Sequence, residues 1–194
     1  MDNSSIQLVD PRHVEESQLD HFKKVQTLGS GAFGRVDLYT VEEEKTYAKK
    51  GDEVAIKMFK KIFDVSMAEE EAELLKDLCH VNVVRFLDSF EDMKEKYCLV
   101  MEYCDQGTLE EYLFLYQVSI PKPHPEFNIW RFVCQLSKAI SFLHSQDPPI
   151  LHNDLKPANI LCKSEPNPKE DGKLDVIIKI ADFGLCNVLG KIDP

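Results

Sequence analysis

The sequence predicts an α+β protein with two lobes, the first β-rich and the second mainly helical. Three observations carry this. Short runs up to about residue 101 alternate apolar with polar residues, the period-2 signature of strands. A single helical stretch, 65–80, interrupts them. Beyond residue 102 the longest regular segment, 126–146, instead repeats its apolar residues at helical spacing.

Taken in order, residues 1–20 are acidic and polar and have no apolar signal core. They read as a flexible extension and give no sign of secretion. Strand patterns follow at 21–28, 35–41 and 53–59, with the charged loop "EEEKTYAKKGD" before the third. "VSMAEEEAELLKDLCH" reads as a helix with Met67, Leu74, Leu75 and Leu78 on one face. "VVRFLDSF" and "KYCLVMEYC" read as two more strands, and "TLEEYLFLY" as a short helix. The prolines of "IPKPHP" keep that connector from being helical. In "EFNIWRFVCQLSKAISFLHSQ" the stripe is Ile129, Phe132, Val133, Leu136, Ile140 and Leu143. "ILHNDLKPANILC" is a loop leading into a strand and "VIIKIADFG" a strand leading into a loop, joined by the solvated connection "KSEPNPKEDGKLD".

Composition narrows the function classes. A net charge of −11 argues against a general nucleic-acid or lipid-surface binder. No apolar run is long enough to span a membrane. The six cysteines include no C-x-x-C pair, so neither a disulfide framework nor a zinc site is indicated. Buried free thiols in the cytoplasm or nucleus are the expectation.

The first chemical motif is "GSGAFGRV", with glycines at 29, 31 and 34. Glycines at this spacing let a backbone approach phosphates closely. The dinucleotide version needs a helix next. Here "RVDLYTV" alternates as a strand, so the loop caps a β-hairpin. In "VAIK", Lys57 on the third strand offers a fixed cation to phosphate oxygens. A buried lysine needs a partner, and Glu71 is placed for it, one turn before Leu75. In "HNDLKPAN", Asp154 can accept a proton from an incoming hydroxyl. Lys156 can offset charge on a transferred group. Asn159 offers an oxygen to Mg²⁺. In "ADFG", Asp182 ends a buried strand where a metal ligand belongs. Each motif alone is weak or moderate: the glycine loop and "HNDLKPAN" fit an ordinary loop as well, and a lone lysine or "DFG" more often has no such role. Their joint order is specific.

From about residue 21 to the end, the sequence resembles the eukaryotic protein kinase superfamily, which carries this signature set. "DLKPAN" looks like its serine/threonine branch. The resemblance implies a kinase N-lobe at 21–101, then a hinge and partial C-lobe at 102–194. It implies ATP and Mg²⁺ as cofactors and a protein substrate carrying Ser or Thr. Leu28, Gly29, Gly31, Gly34, Val36, Ala55, Lys57 and Glu71 would surround ATP, with Met101 as gatekeeper and Glu102 to Cys104 as hinge. Asp154 would be the catalytic base beside Lys156, and Asn159 and Asp182 would hold the metal. Leu75, Phe86, His152 and Phe183 match the apolar spine that links the lobes. Two features depart from the family. Asn153 stands where arginine usually pairs with a phosphate on the activation loop. Asparagine cannot make that contact, so control by loop phosphorylation is not expected. The chain also stops at Pro194, soon after Gly184. This predicts a domain cut short in its second lobe, whose long helix exposes apolar surface to a stabilising partner or chaperone. The rival reading is a nucleotide-binding regulatory module without transferase activity.

Overall fold

The structure is a computed structural model that describes residues 17–31, 33–60, 65–94, 96–119, 126–167 and 174–189. The expectations for residues 1–16, for the connector "IPKPHP" and for the middle of the 163–175 connection lie outside the described residues. Ser17 caps a 3₁₀ turn at Gln18–His21: its hydroxyl accepts from the Leu19 backbone, and Asp20 accepts from the Ser17 N–H.

Five strands form an antiparallel sheet: β1 (Phe22–Ser30), β2 (Gly34–Val41), β3 (Glu53–Phe59), β4 (Phe86–Glu91) and β5 (Tyr97–Glu102). Their spatial order is β1-β2-β3-β5-β4, so β3 is the centre and β4 an edge. The "VVRFLDSF" segment becomes strand only from Phe86. Val83 and Val84 turn away instead, with the Val84 N–H donating to the Ile180 carbonyl.

Helix α1 (Val65–Asp77) buries Ala68, Glu71, Ala72 and Leu75. Met67, expected on the inward face, is 41% exposed. The small side chain of Ala68 occupies the inward place on the first turn, and no core cluster reaches Met67. The sequence pattern could not rank a large exposed residue below a small buried one.

After β5 come α2 (Leu109–Ser119), α3 (Glu126–His144), the short β6 (Ile150–Leu151), the hairpin β7 (Ile160–Pro166) and β8 (Leu174–Ile180), and the short β9 (Asn187–Val188) paired with β6. The β7–β8 ladder runs to Pro166↔Leu174, further into the predicted connection than its polarity suggested.

One core cluster takes Leu75, Leu99 and Met101 from the first part of the chain and Ala139, Leu143, Ile180 and Phe183 from the second. A second covers the opposite face of the sheet with Phe22, Tyr39, Ile56 and Phe90. Burying one large apolar side chain is worth about 1.5–3 kcal/mol, so the shared cluster holds the two lobes together. The α3 stripe is only half inward. Leu143 is buried and Leu136 and Ile140 pack on the shared core, whereas Ile129 is 49% and Val133 45% exposed. Among the described residues, no helix is long and apolar enough to cross a membrane.

Candidate functional site

A cleft of about 540 Å³ opens between the sheet and the second lobe. Its roof is the β1–β2 hairpin. The Gly31 N–H donates to the Gly34 carbonyl, and Lys60 Nζ donates to the Gly31 carbonyl at 2.8 Å. The three loop glycines serve different ends. A Cβ on Gly34 would stand 2.3 Å from the Met58 carbonyl oxygen, so the β2–β3 approach itself requires glycine there. A Cβ on Gly29 or Gly31 would meet nothing within 4 Å, and both line the cleft. That open space is where phosphate groups would come against bare backbone.

Lys57 reaches the cleft from β3. Its Nζ lies 2.7 and 2.8 Å from the two Glu71 carboxylate oxygens and 3.0 Å from Asp182 Oδ1. Strand alternation sets this. Val36 pairs with Lys57 and Leu38 with Ala55, so the cleft-facing residues come at every second position. Glu71 is buried, and burial pushes its carboxyl up, against the opposing pull of Lys57. Asp182 has a backbone φ of 63°, a left-handed conformation that turns the chain just after β8. A Cβ on the neighbouring Gly184 would meet Glu71 Oε2 at 3.1 Å.

A second cluster sits below. Asp154 Oδ2 accepts from Lys156 Nζ at 2.7 Å and from Asn159 Nδ2 at 2.8 Å. The Lys156 bond, joined by that from Asn159, holds the Asp154 carboxyl below the usual range, and the same contact holds Lys156 up. The Asn159 carbonyl accepts from the Ala181 N–H at 2.9 Å, which ties the two clusters together through backbone. Asn159 and Asp182 both line the cleft, whereas Asp154 and Lys156 stand outside its wall.

Comparison with known proteins adds the decisive observation. A family profile described as the protein kinase domain matches residues 22–193. The chain belongs to the protein kinase domain family. It is 31% identical over 175 residues, 90% of its own length, to the probable serine/threonine-protein kinase zyg-1 of Caenorhabditis briggsae. It is 29% identical over 187 residues to the probable serine/threonine-protein kinase nek1 of Dictyostelium discoideum. It is 35% identical over 173 residues to the serine/threonine-protein kinase ULK1 of Homo sapiens. The matches cover 92% and 84% of this chain for the latter two. The chain spans only 22%, 37% and 16% of the lengths of these three relatives. The family uses ATP with a divalent metal and acts on proteins.

In this kinase domain every residue expected around ATP lines the cleft, from Leu28 on β1 to Met101 on β5 and Cys104 just after it. Met101 is buried and pairs across the sheet with Ala55 and Phe86. Glu102 turns its side chain away from the cleft, to Lys163 and Lys179 at 2.8 Å each and to the Arg85 N–H. Burial would raise its carboxyl, but those bonds hold it low. Leu75 and Phe183 share the lobe-linking core, with Phe86 packed against it. The His152 ring meets that of Phe183 edge-on at 5.0 Å. Burial pushes the Cys104 thiol up to about 12, so it stays protonated in the cleft wall.

Sequence reading missed some of the wall. Thr108 and Glu111 line the cleft at the start of α2. The Thr108 N–H and hydroxyl both donate to Glu111, whose own N–H donates back to the Thr108 oxygen. The signal was present, because Thr-Leu-Glu-Glu is a capping-box pattern. Leu161, which bridges to Thr108, follows Asn159 on β7 and was legible from strand alternation. Val84, read as the start of a strand, lies in the irregular segment before β4, where strand alternation says nothing of its face.

Proposed function

We propose that this domain is an ATP-dependent serine/threonine kinase, with Mg²⁺ as its metal and a Ser or Thr hydroxyl of a protein as acceptor. The observation that carries the reading is the Lys57 ammonium. It is held between Glu71 and Asp182 at the wall of the cleft, within one backbone hydrogen bond's linkage of the Asp154–Asn159 cluster. Neither half alone would indicate transfer.

Bound ATP with Mg²⁺ would supply the phosphoryl group and the cation that offsets its charge. The residues present fit both. Gly29 and Gly31 leave room for phosphates. Asn159 commits its Nδ2 to Asp154 and keeps its oxygen for a metal. Asp182 adds a carboxylate. Among the described residues no three His, Cys, Asp or Glu side chains converge as a metal cluster. That suits Mg²⁺, which commonly takes one or two protein ligands and shares the rest with phosphate and water. Lys57 holds phosphate oxygens, and Glu71 fixes Lys57. Asp154, ionised and half-exposed, accepts the proton of the incoming hydroxyl at its carboxylate. Lys156 offsets negative charge beside it.

The test is calorimetry of ATP with and without Mg²⁺, followed by transfer to Ser- and Thr-containing peptides. Mg²⁺-dependent binding and labelled Ser or Thr are expected. ATP binding without transfer would replace this reading with that of a nucleotide-binding module.

A further inference from the structure

The Asp37 carboxylate is wholly buried although it sits on the apolar outer face of the sheet, paired across the ladder with Ile56. Its three donors come from both arms of the glycine hairpin. From β1, Thr27 Oγ1 donates to Oδ1 at 2.7 Å and Lys24 Nζ to Oδ2 at 2.8 Å. From β2, Arg35 Nε donates to Oδ2 at 2.9 Å. Burial would raise this carboxyl, and the bonds from Lys24 and Thr27 with the charge of Arg35 outweigh it.

Two irregularities in β1 give this cluster a task. The register shifts between Lys24 and Gln26 and again between Thr27 and Gly29. Bulges leave an extra residue unpaired and loosen the ladder locally. The short stretch between them is Gln26 and Thr27, which together with Leu28 line the cleft. Thr27 is thus at once a wall residue and the partner of Asp37. The segment that leads into Gly29 is paired with β2, but with a register shift on either side.

Resting on the kinase reading above, we propose that Asp37 is the positioning residue of the glycine loop. Through Thr27, Lys24 and Arg35 it locks the bulged end of β1 to β2 and so sets the height of Gly29–Gly34 over the phosphates. An apolar residue in its place would leave Lys24 and Arg35 without their carboxylate, but their side chains are 39% and 50% exposed and can turn to water, so the fold would be kept. What it would lose is the register pin.

The experiment measures binding of Mg·ATP and of adenosine to the full chain carrying Asp37→Leu, Thr27→Val or, as a control packed against the same outer face of the sheet, Tyr47→Phe. Tyr47 donates to Asp88 well away from the loop in sequence. Asp37→Leu should weaken Mg·ATP binding about tenfold, the scale of a lost charge-assisted hydrogen bond. It should weaken adenosine binding far less, because the loop faces the phosphates. Thr27→Val should act in the same direction with a smaller loss, and it keeps the test open if Asp37→Leu does not fold. Tyr47→Phe should change neither. Unchanged Mg·ATP affinity in the folded variants overturns the inference while leaving the kinase reading intact. Equal losses for ATP and adenosine reduce Asp37 to general support of the sheet and also overturn it. A wild-type chain that binds no ATP overturns both.

Discussion

Lys57 and Lys156 each sit less than 3 Å from a carboxylate, in opposite surroundings. The Lys57 side chain is 9% exposed and its partner Glu71 2%, whereas Lys156 is 53% and Asp154 29% exposed. Burial makes the first pair a condition of folding, since an unpaired charge there has no water to turn to. The second pair lies in solvent, where an ion pair contributes little to stability. It is left to act on whatever approaches. The carboxyls respond accordingly: burial pushes Glu71 up, and the Lys156 bond holds Asp154 down.

The largest effect expected is from Lys57→Met. It strands the Glu71 carboxylate and should remove about 3–5 kcal/mol of stability, as broken buried pairs do, and abolish ATP binding. Denaturant titration reads the first and calorimetry the second. The double variant Lys57→Met/Glu71→Leu should regain most of the stability and none of the binding. If Lys57→Met keeps the wild-type midpoint, the pair is not a condition of folding and the contrast collapses.

Asp154→Asn should do the reverse. Transfer should fall by about 10²–10⁴, the usual contribution of a positioned general base. The thermal midpoint and the affinity for ATP should stay at wild-type values. An Asp154→Asn protein with normal turnover would remove Asp154 from the chemistry.

Acidification sharpens the contrast through its sign. Glu71 has a raised native pKa, so it binds its proton more readily in the folded state. Its contribution to stability is greatest at low pH and declines as pH rises through that native value. Asp154 has a lowered pKa, so its contribution is full above the ordinary carboxylate range and is lost as pH falls through the native value. Carboxyl-carbon NMR should find Glu71 protonating at a higher pH than Asp154. The opposite order would mean that Lys57 outweighs burial.

The smallest effect concerns Asn153. Its backbone takes a φ of 61°, a region asparagine tolerates better than most residues. Its Nδ2 donates to the Leu185 carbonyl at 3.1 Å, a neutral tie to the chain after Gly184. Asn153→Ala should destabilise by about 1 kcal/mol, between the hydrogen bond and the backbone penalty. Phosphatase treatment of the active protein should leave transfer unchanged. A large loss after phosphatase would mean that another cation does the work of the missing arginine.

Much of the site was legible because its motifs are local. The glycine spacing, the strand alternation around Lys57 and the run from Asp154 to Asn159 each lie within one or two elements, where chain geometry alone fixes which side chains share a face. Glu71 was chosen from three adjacent acids by its spacing to Leu75, and the helix does turn that residue inward. Spacing failed where burial depended on what lay opposite. Met67 and Val133 have the right period, yet both stay largely exposed outside the core clusters, while the small Ala68 and Ala139 on the same helices are buried.

The sequence by itself determined the order of the elements, the β-hairpin under the glycines and the residue types able to hold phosphate, metal and proton. Period and turn chemistry act over a few residues and need no partner. Only the tertiary structure decided that β5 inserts between β3 and β4, that Lys57 is shared between Glu71 and Asp182, and that Asp37 is buried with three donors. Apart from Arg35, two positions from Asp37, those facts depend on residues 10 to 125 positions apart in the chain, and a contact between distant residues leaves no periodic trace in either segment.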